Sequence, residues 1–251
     1  MNIKETLKSI ALKYPPNLVG RQIADIERTA FHIDLIRDRV GTQVTVCDIG
    51  GGVGLFSIGC AAVGMNAVLV DDFMDGINLE HGESLLDLHK SYGVRIVSRD
   101  VIKDGLDFAP NTFDAVTTFE SMEHWHHSPK KLFRSLAGML KPEGLFVLGA
   151  PNCVNLRKRV SVPFGHGKWS RMSDWYEPEI FRGHTREPDV ADLLYIAKDM
   201  GLEKVEICGR NWAGYAADRK LVRWATRLGD GLLRRLPSLC SDIYMLGYSR
   251  S

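Results

Sequence analysis

The sequence predicts an α/β fold: a mostly parallel β-sheet with helices on both faces. Three observations carry that expectation. From residue 44 to 150, short apolar and β-branched runs alternate with helix-length segments, the pattern of βαβ units. The first run, Val44-Thr45-Val46-Cys47-Asp48-Ile49, ends in an acid and opens into Gly50-Gly51-Gly52-Val53-Gly54. Later runs also finish beside polar or acidic residues, where a parallel sheet delivers side chains to a ligand.

In chain order, residues 1–42 read as helices around a Tyr14-Pro15-Pro16-Asn17 break. Ile23, Ile26, Ala30, Ile33 and Ile36 or Arg37 form an approximate helical stripe, and the segment is expected to cap the cofactor cleft. After the glycines, Leu55 to Val63 reads as a short apolar helix stopped by Gly64. Ala67-Val68-Leu69-Val70-Asp71 is a second strand, Val94 to Ser98 a third, Phe113 to Phe119 a fourth and Leu145 to Ala150 a fifth. Alternation then stops. Residues 151–187 read as a long irregular insertion rich in glycine, aromatics and basic residues, a length that is usually functional. A helix from Pro188 to Met200, a strand from Lys204 to Cys208, a basic segment over 214–238 and an antiparallel last strand, Ile243 to Tyr248, complete the chain.

Composition narrows the class. The 251 residues, 45% hydrophobic and 25% charged, suit one globular domain over 1–251. A formal charge of +1 gives no global field for nucleic acid, so no stable nucleic-acid complex is expected. Cys47, Cys60, Cys153, Cys208 and Cys240 lack C-x-x-C spacing, which suits a reducing cytoplasm. Met1 to Glu5 lacks a signal-peptide apolar region, and no run reaches the roughly 18 apolar residues of a membrane span.

The glycine loop carries the cofactor argument. Glycine accepts positive φ and lets a ligand approach the main chain. A dinucleotide fingerprint needs a third glycine where Leu55 stands, so the phosphate-cradling spacing fails. The spacing found, D-x-G-x-G-x-G from Asp48 to Gly54, resembles motif I of the class I S-adenosylmethionine (SAM)-dependent methyltransferases. The resemblance covers residues 44 to 152 in detail and implies a Rossmann-like seven-stranded sheet, mostly parallel with an antiparallel last strand. It also implies SAM as cofactor, with Asp48, Gly50, Gly52 and Gly54 in the loop. Asp71, or less favourably Asp72, would take the ribose diol, Asp100 with Val101 would flank the adenine, and Phe119 would border the site.

The stretch Glu120-Ser121-Met122-Glu123-His124 follows the fourth strand. On a helical turn Glu120, Glu123 and His124 would share a face, and crowded carboxylates with an imidazole suit a divalent ion. E-x-x-E-H resembles the pattern of Hen-type methyltransferases, which modify a ribose 2′-hydroxyl with magnesium. That resemblance implies Mg²⁺ held by Glu120, Glu123 and His124, with His184 as a fourth ligand. An Glu-His pair serving only packing is the other reading. His126 or His127 is the candidate general base, or else a solvated loop residue.

Beyond the fifth strand, Arg157-Lys158-Arg159, Gly165-His166-Gly167-Lys168-Trp169 and Asp174-Trp175-Tyr176 set aromatics beside polar groups. Trp169 and Trp175 would stack on sugar rings or bases, or pin the loop to the core. The layout is similar to methyltransferases of bacterial polysaccharide gene clusters. From Ala216 to Leu236, basic residues alternate with Leu221, Trp224, Leu228 and Leu232 at helical spacing, with a break expected near Gly229 to Gly231. This segment reads as a peripheral membrane contact, an ordinary basic surface helix or a homodimer contact. The expectation is a SAM-dependent O-methyltransferase acting on a sugar hydroxyl of a glycan or glycoside. The alternatives are 2′-O-methylation of an RNA 3′ end and a non-catalytic partner subunit.

Overall fold

The computed structural model describes residues 2–166, 170, 172–217 and 219–250. Two helices open the chain. In α1 (Ile3–Ala11) the Asn2 side chain caps the first turn by accepting from Lys4 N, and Leu7 and Ile10 are buried. Proline at the first position of α2 (Pro16–Val40) removes one of the amide donors that a helix start leaves unpaired, and Ile26, Ala30, Ile33 and Ile36 face inward as the stripe predicts. Ile23 does not. It is exposed, and Gln22, Thr29 and His32 are buried instead, so the inward face of α2 is wider and more polar than the aliphatic pattern suggests.

Next come β1 (Thr45–Ile49), α3 (Leu55–Ala62), β2 (Asn66–Asp71), α4 (Gly76–Ser91), β3 (Arg95–Ser98) and β4 (Phe113–Phe119). A 3₁₀ turn (Met122–His124) precedes α5 (Lys130–Met139) and β5 (Leu140–Pro151). The remainder is α6 (Leu156–Ser161), α7 (Met172–Tyr176), α8 (Val190–Met200), β6 (Glu203–Arg210), α9 (Trp212–Tyr215), α10 (Lys220–Leu233) and β7 (Asp242–Tyr248). The seven strands lie in the order β3-β2-β1-β4-β5-β7-β6. β7 runs antiparallel between β5 and β6, and the other pairs are parallel, as expected.

One apolar cluster covers each face of the sheet. The first joins α1, α2 and α3 to one side of the strands through Leu7, Ile33, Ile58 and Leu69. The second packs α5 and α8 on the other side through Leu136, Leu193, Phe146 and Met245. Helices α1, α2 and α3 meet closely at Gly59, where a Cβ would fall 2.7 Å from both Ile33 and Leu7.

Two expectations change. The insertion is not wholly irregular, since α6 and α7 lie within it; Gly167, Lys168 and Trp169 lie outside the described residues. Helix α10 runs unbroken through Gly229–Gly231. The reason is Asp230, which is buried under Asn211 Nδ2 at 2.8 Å and the Tyr215 hydroxyl at 2.9 Å, holding the turn that the glycines would loosen.

Candidate active site

Strand order reverses between β1 and β4, and such a switch point opens a crevice beyond the strand ends. The glycine loop occupies it. Gly50 and Gly52 have φ of 70° and 54°, the left-handed region that glycine adopts without strain. Gly52 N donates to Asp71 Oδ2 at 3.0 Å and Phe73 N to Asp71 Oδ1 at 2.7 Å, so the acid ending β2 is bound to the loop. Asp48 is buried under hydrogen bonds from Ser57 Oγ (2.7 Å) and Thr117 Oγ1 (3.1 Å), and burial pushes its carboxyl up to about 7. A Cβ at Gly51 would overlap that carboxylate. Gly54 stands at the N-cap of α3.

The other cofactor-side candidates have distinct settings. Arg99 N donates to the Asp71 carbonyl at 2.8 Å, which sets Asp100 and Val101 just beyond Asp71. Asp100 caps the following turn by accepting from Ile102 N and Lys103 N, and Val101 is buried with the second apolar cluster. Phe119 is stacked flat on His32, their centroids 3.9 Å apart, inside an aromatic group with Phe56 and Tyr244.

At the end of β4 the predicted ligand face separates. Glu120 lies before the 3₁₀ turn with φ of 50°, so no continuous helix aligns it with Glu123 and His124. Its Oε2 accepts from Arg28 Nη1 at 3.1 Å, and burial, outweighing that cation, pushes its carboxyl up to about 8. Glu123, His124 and His184 do converge, with one donor atom of each within 4.8 Å of the others. Glu123 is fully buried, neither carboxylate oxygen has a hydrogen-bond partner among the described residues, and burial pushes it up to about 7.

The surroundings fix both imidazoles. His124 Nδ1 lies 2.9 Å from the Arg182 carbonyl, an acceptor, so Nδ1 carries the proton and Nε2 keeps its lone pair. His184 Nδ1 meets Glu187 Oε1 at 2.9 Å, and that hydrogen bond raises the His184 pKa against the effect of burial. Lys158 from α6 holds the other Glu187 oxygen. Thr185 N donates to the Glu123 carbonyl at 2.6 Å, clamping the 182–187 segment onto the turn. The cofactor loop touches the same turn, for a Cβ at Gly50 would overlap Ser121 Oγ.

The family model described as Methyltransferase domain matches residues 18–207. The chain belongs to this methyltransferase family. No curated protein matches it in sequence. Among solved structures, the methyltransferase resembles the YcgJ protein of Bacillus subtilis, with 17% identity, 90% of this chain and 99% of that chain covered and a TM-score of 0.58. A SAM-dependent methyltransferase from Archaeoglobus fulgidus gives 16% identity, 88% and 94% coverage and 0.54. Phosphoethanolamine N-methyltransferase 2 of Haemonchus contortus, solved with SAM, gives 17%, 88% and 53% coverage and 0.57, so the methyltransferase spans about half of that enzyme. Likeness at these identities concerns the fold.

Several residues of the methyltransferase site carry no sequence signal of their own. The Tyr14 hydroxyl donates to the carbonyls of Val53 (2.9 Å) and Gly54 (3.2 Å), and His89 Nε2 lies 3.1 Å from the latter. These contacts pin the glycine loop from α4 and from the link between α1 and α2. Glu187 and Lys158 order the histidine side. Of the candidate bases, His127 is exposed in a depression with Ile102, Lys103, Lys130, Lys131 and Arg134, while exposed His126 is near enough for its charge to help burial lower the His124 pKa.

Proposed function

We propose that this methyltransferase uses SAM to methylate a sugar hydroxyl of a glycan or glycoside, with a divalent cation bound by Glu123, His124 and His184. The observation that carries the reading is the Glu123 carboxylate, buried with both oxygens unpartnered between two oriented imidazoles. An unpartnered buried carboxylate is costly, and a cation offsets that cost. Two imidazoles and one carboxylate suit Mn²⁺, Fe²⁺ or Zn²⁺ better than Mg²⁺, so the donor set moves the expected ion away from magnesium.

When bound, such an ion lowers the pKa of a hydroxyl, and the sulfonium of SAM supplies the electrophilic methyl. The protein's part is positioning. Asp71 and the loop amides fit the cofactor end, and the contact of Gly50 with Ser121 brings that end against the acceptor turn. His126 is the member of the histidine pair left to take the hydroxyl proton. Trp175 and Tyr176, both exposed on the insertion, offer faces for a sugar ring. Of the run Arg157-Lys158-Arg159, Lys158 is committed to Glu187, which leaves only Arg157 and Arg159 of that run to face an RNA backbone.

The test is transfer of radiolabel from SAM to a panel of mono- and oligosaccharides, before and after chelation. A methylated saccharide, loss with EDTA and recovery with Mn²⁺ in wild type but not in Glu123→Gln is the expected result. Full activity in chelator would remove the metal, and transfer to RNA ends alone would replace the substrate.

A further inference from the structure

Register places the β6–β7 connection at the same end of the sheet as the proposed acceptor site. Pro151 pairs with Asp242, and Asp242 with Arg210, so the insertion after β5 and the α9–α10 segment leave the sheet at the same end. They are also joined. Asn152 Nδ2 donates to the carbonyls of Ser238 and Cys240, each at 2.9 Å.

Helix α10 is firmly seated on its inner side. Thr226 packs against Gly214, and Asp230 is bound by Asn211, Tyr215 and Arg234. Among the described residues, no element covers its outer side. Leu221, Trp224, Leu228 and Leu232, at three- and four-residue spacing, are 73%, 60%, 67% and 67% exposed. Exposed Lys220 and Arg227 border this stripe, with Arg219, Arg234 and Arg235 at the helix ends. Between residues 219 and 241 six basic residues stand against one acid, the buried Asp230, which pairs with Arg234, so the segment carries an excess of positive charge. Of twenty exposed large apolar residues among the described residues, fourteen fall within 151–187 and 214–238, a bias that concentrates apolar surface at one end.

We propose that this end of the molecule, led by α10, docks on an anionic phospholipid surface. An apolar stripe beside a basic one, on a helix seated along a surface, matches the two layers of a charged bilayer interface: acyl chains for the leucines and tryptophan, headgroup phosphates for the cations. Among the described residues no helix is long and apolar enough to cross a membrane, and the proposed contact is a peripheral one. Docking places the acceptor site beside the headgroups; that its acceptor is a lipid-borne saccharide rests on the sugar reading above.

Flotation of the full chain with phosphatidylcholine vesicles, with and without phosphatidylglycerol, tests the surface without any methyl transfer. The expected result is flotation with phosphatidylglycerol alone, weakening steeply with salt, and a loss on the order of tenfold in Leu228→Glu and in Arg227→Glu. Both positions are exposed, and unchanged circular dichroism and SAM binding would show the variants folded. Equal flotation on neutral vesicles, none on either, or full flotation of both variants would overturn the proposal. So would a dimer in vesicle-free solution that Leu228→Glu dissolves, since the face would then belong to a second copy. Vesicle binding without saccharide methylation would reject the sugar reading and leave the docking surface standing.

Discussion

Arg28 Nη1 donates to Glu120 Oε2 across 3.1 Å, tying α2 to the end of β4, and Arg28 also holds Asp25 at 2.7 Å. The pair is largely enclosed, with side-chain exposures of 27% and 26%. Arg28→Met should therefore cost about 1–3 kcal/mol in urea denaturation, short of a fully buried pair because Glu120 can take up a proton. Glu120→Gln keeps an acceptor for Arg28 and should cost less than Arg28→Met.

The glycines of the loop differ in what they tolerate. Gly52→Val strains a φ of 54°, and Gly51→Ala drives a methyl into Asp48, so SAM binding by calorimetry should weaken tenfold or more in both, as in Asp71→Ala. Gly138 in α5 has open space around its Cβ position. Gly138→Ala should leave SAM affinity unchanged and stabilise the protein by about 0.5–1 kcal/mol.

On the metal reading, Glu187 acts through His184. Glu187→Gln should weaken Mn²⁺ binding by about 10–100-fold in calorimetry, without the outright loss expected of Glu123→Gln. Equal losses in both would make Glu187 a ligand itself.

Burial raises Asp48 to about 7 in the folded chain, against an unfolded value of about 3.9. The folded state thus binds the extra proton between these values. The stabilisation is present below about pH 4 and is lost as pH rises through 7, on the order of 4 kcal/mol in all. Asp48→Asn should flatten this part of the stability profile in pH-dependent thermal melts.

The central parallel strands were legible because they are short buried runs with polar ends, as in Val68 to Asp71 and Ala115 to Phe119, and burial on both faces leaves little else such runs can do; the edge strand β3 is only half-buried. Glycine spacing likewise marked the loop. Glu120 misled because a single residue in the left-handed region re-aims a side chain, and no i, i+3, i+4 count registers a φ. The helix through Gly229–Gly231 misled for a related reason: propensity is local, whereas Asp230 is held by Asn211, far back in the chain.

By itself, then, the sequence determined the sheet, its order of elements, the cofactor loop and the residue types at the end of β4, all of which follow from local pattern and backbone permissiveness. Only the tertiary structure decided which of those side chains meet. It turned Glu120 to Arg28, brought His184 from sixty residues away to Glu123 and His124, and left Leu221, Trp224, Leu228 and Leu232 of α10 exposed. Those outcomes depend on contacts between distant segments, which pack to satisfy buried charge and apolar area that no local stretch can satisfy alone.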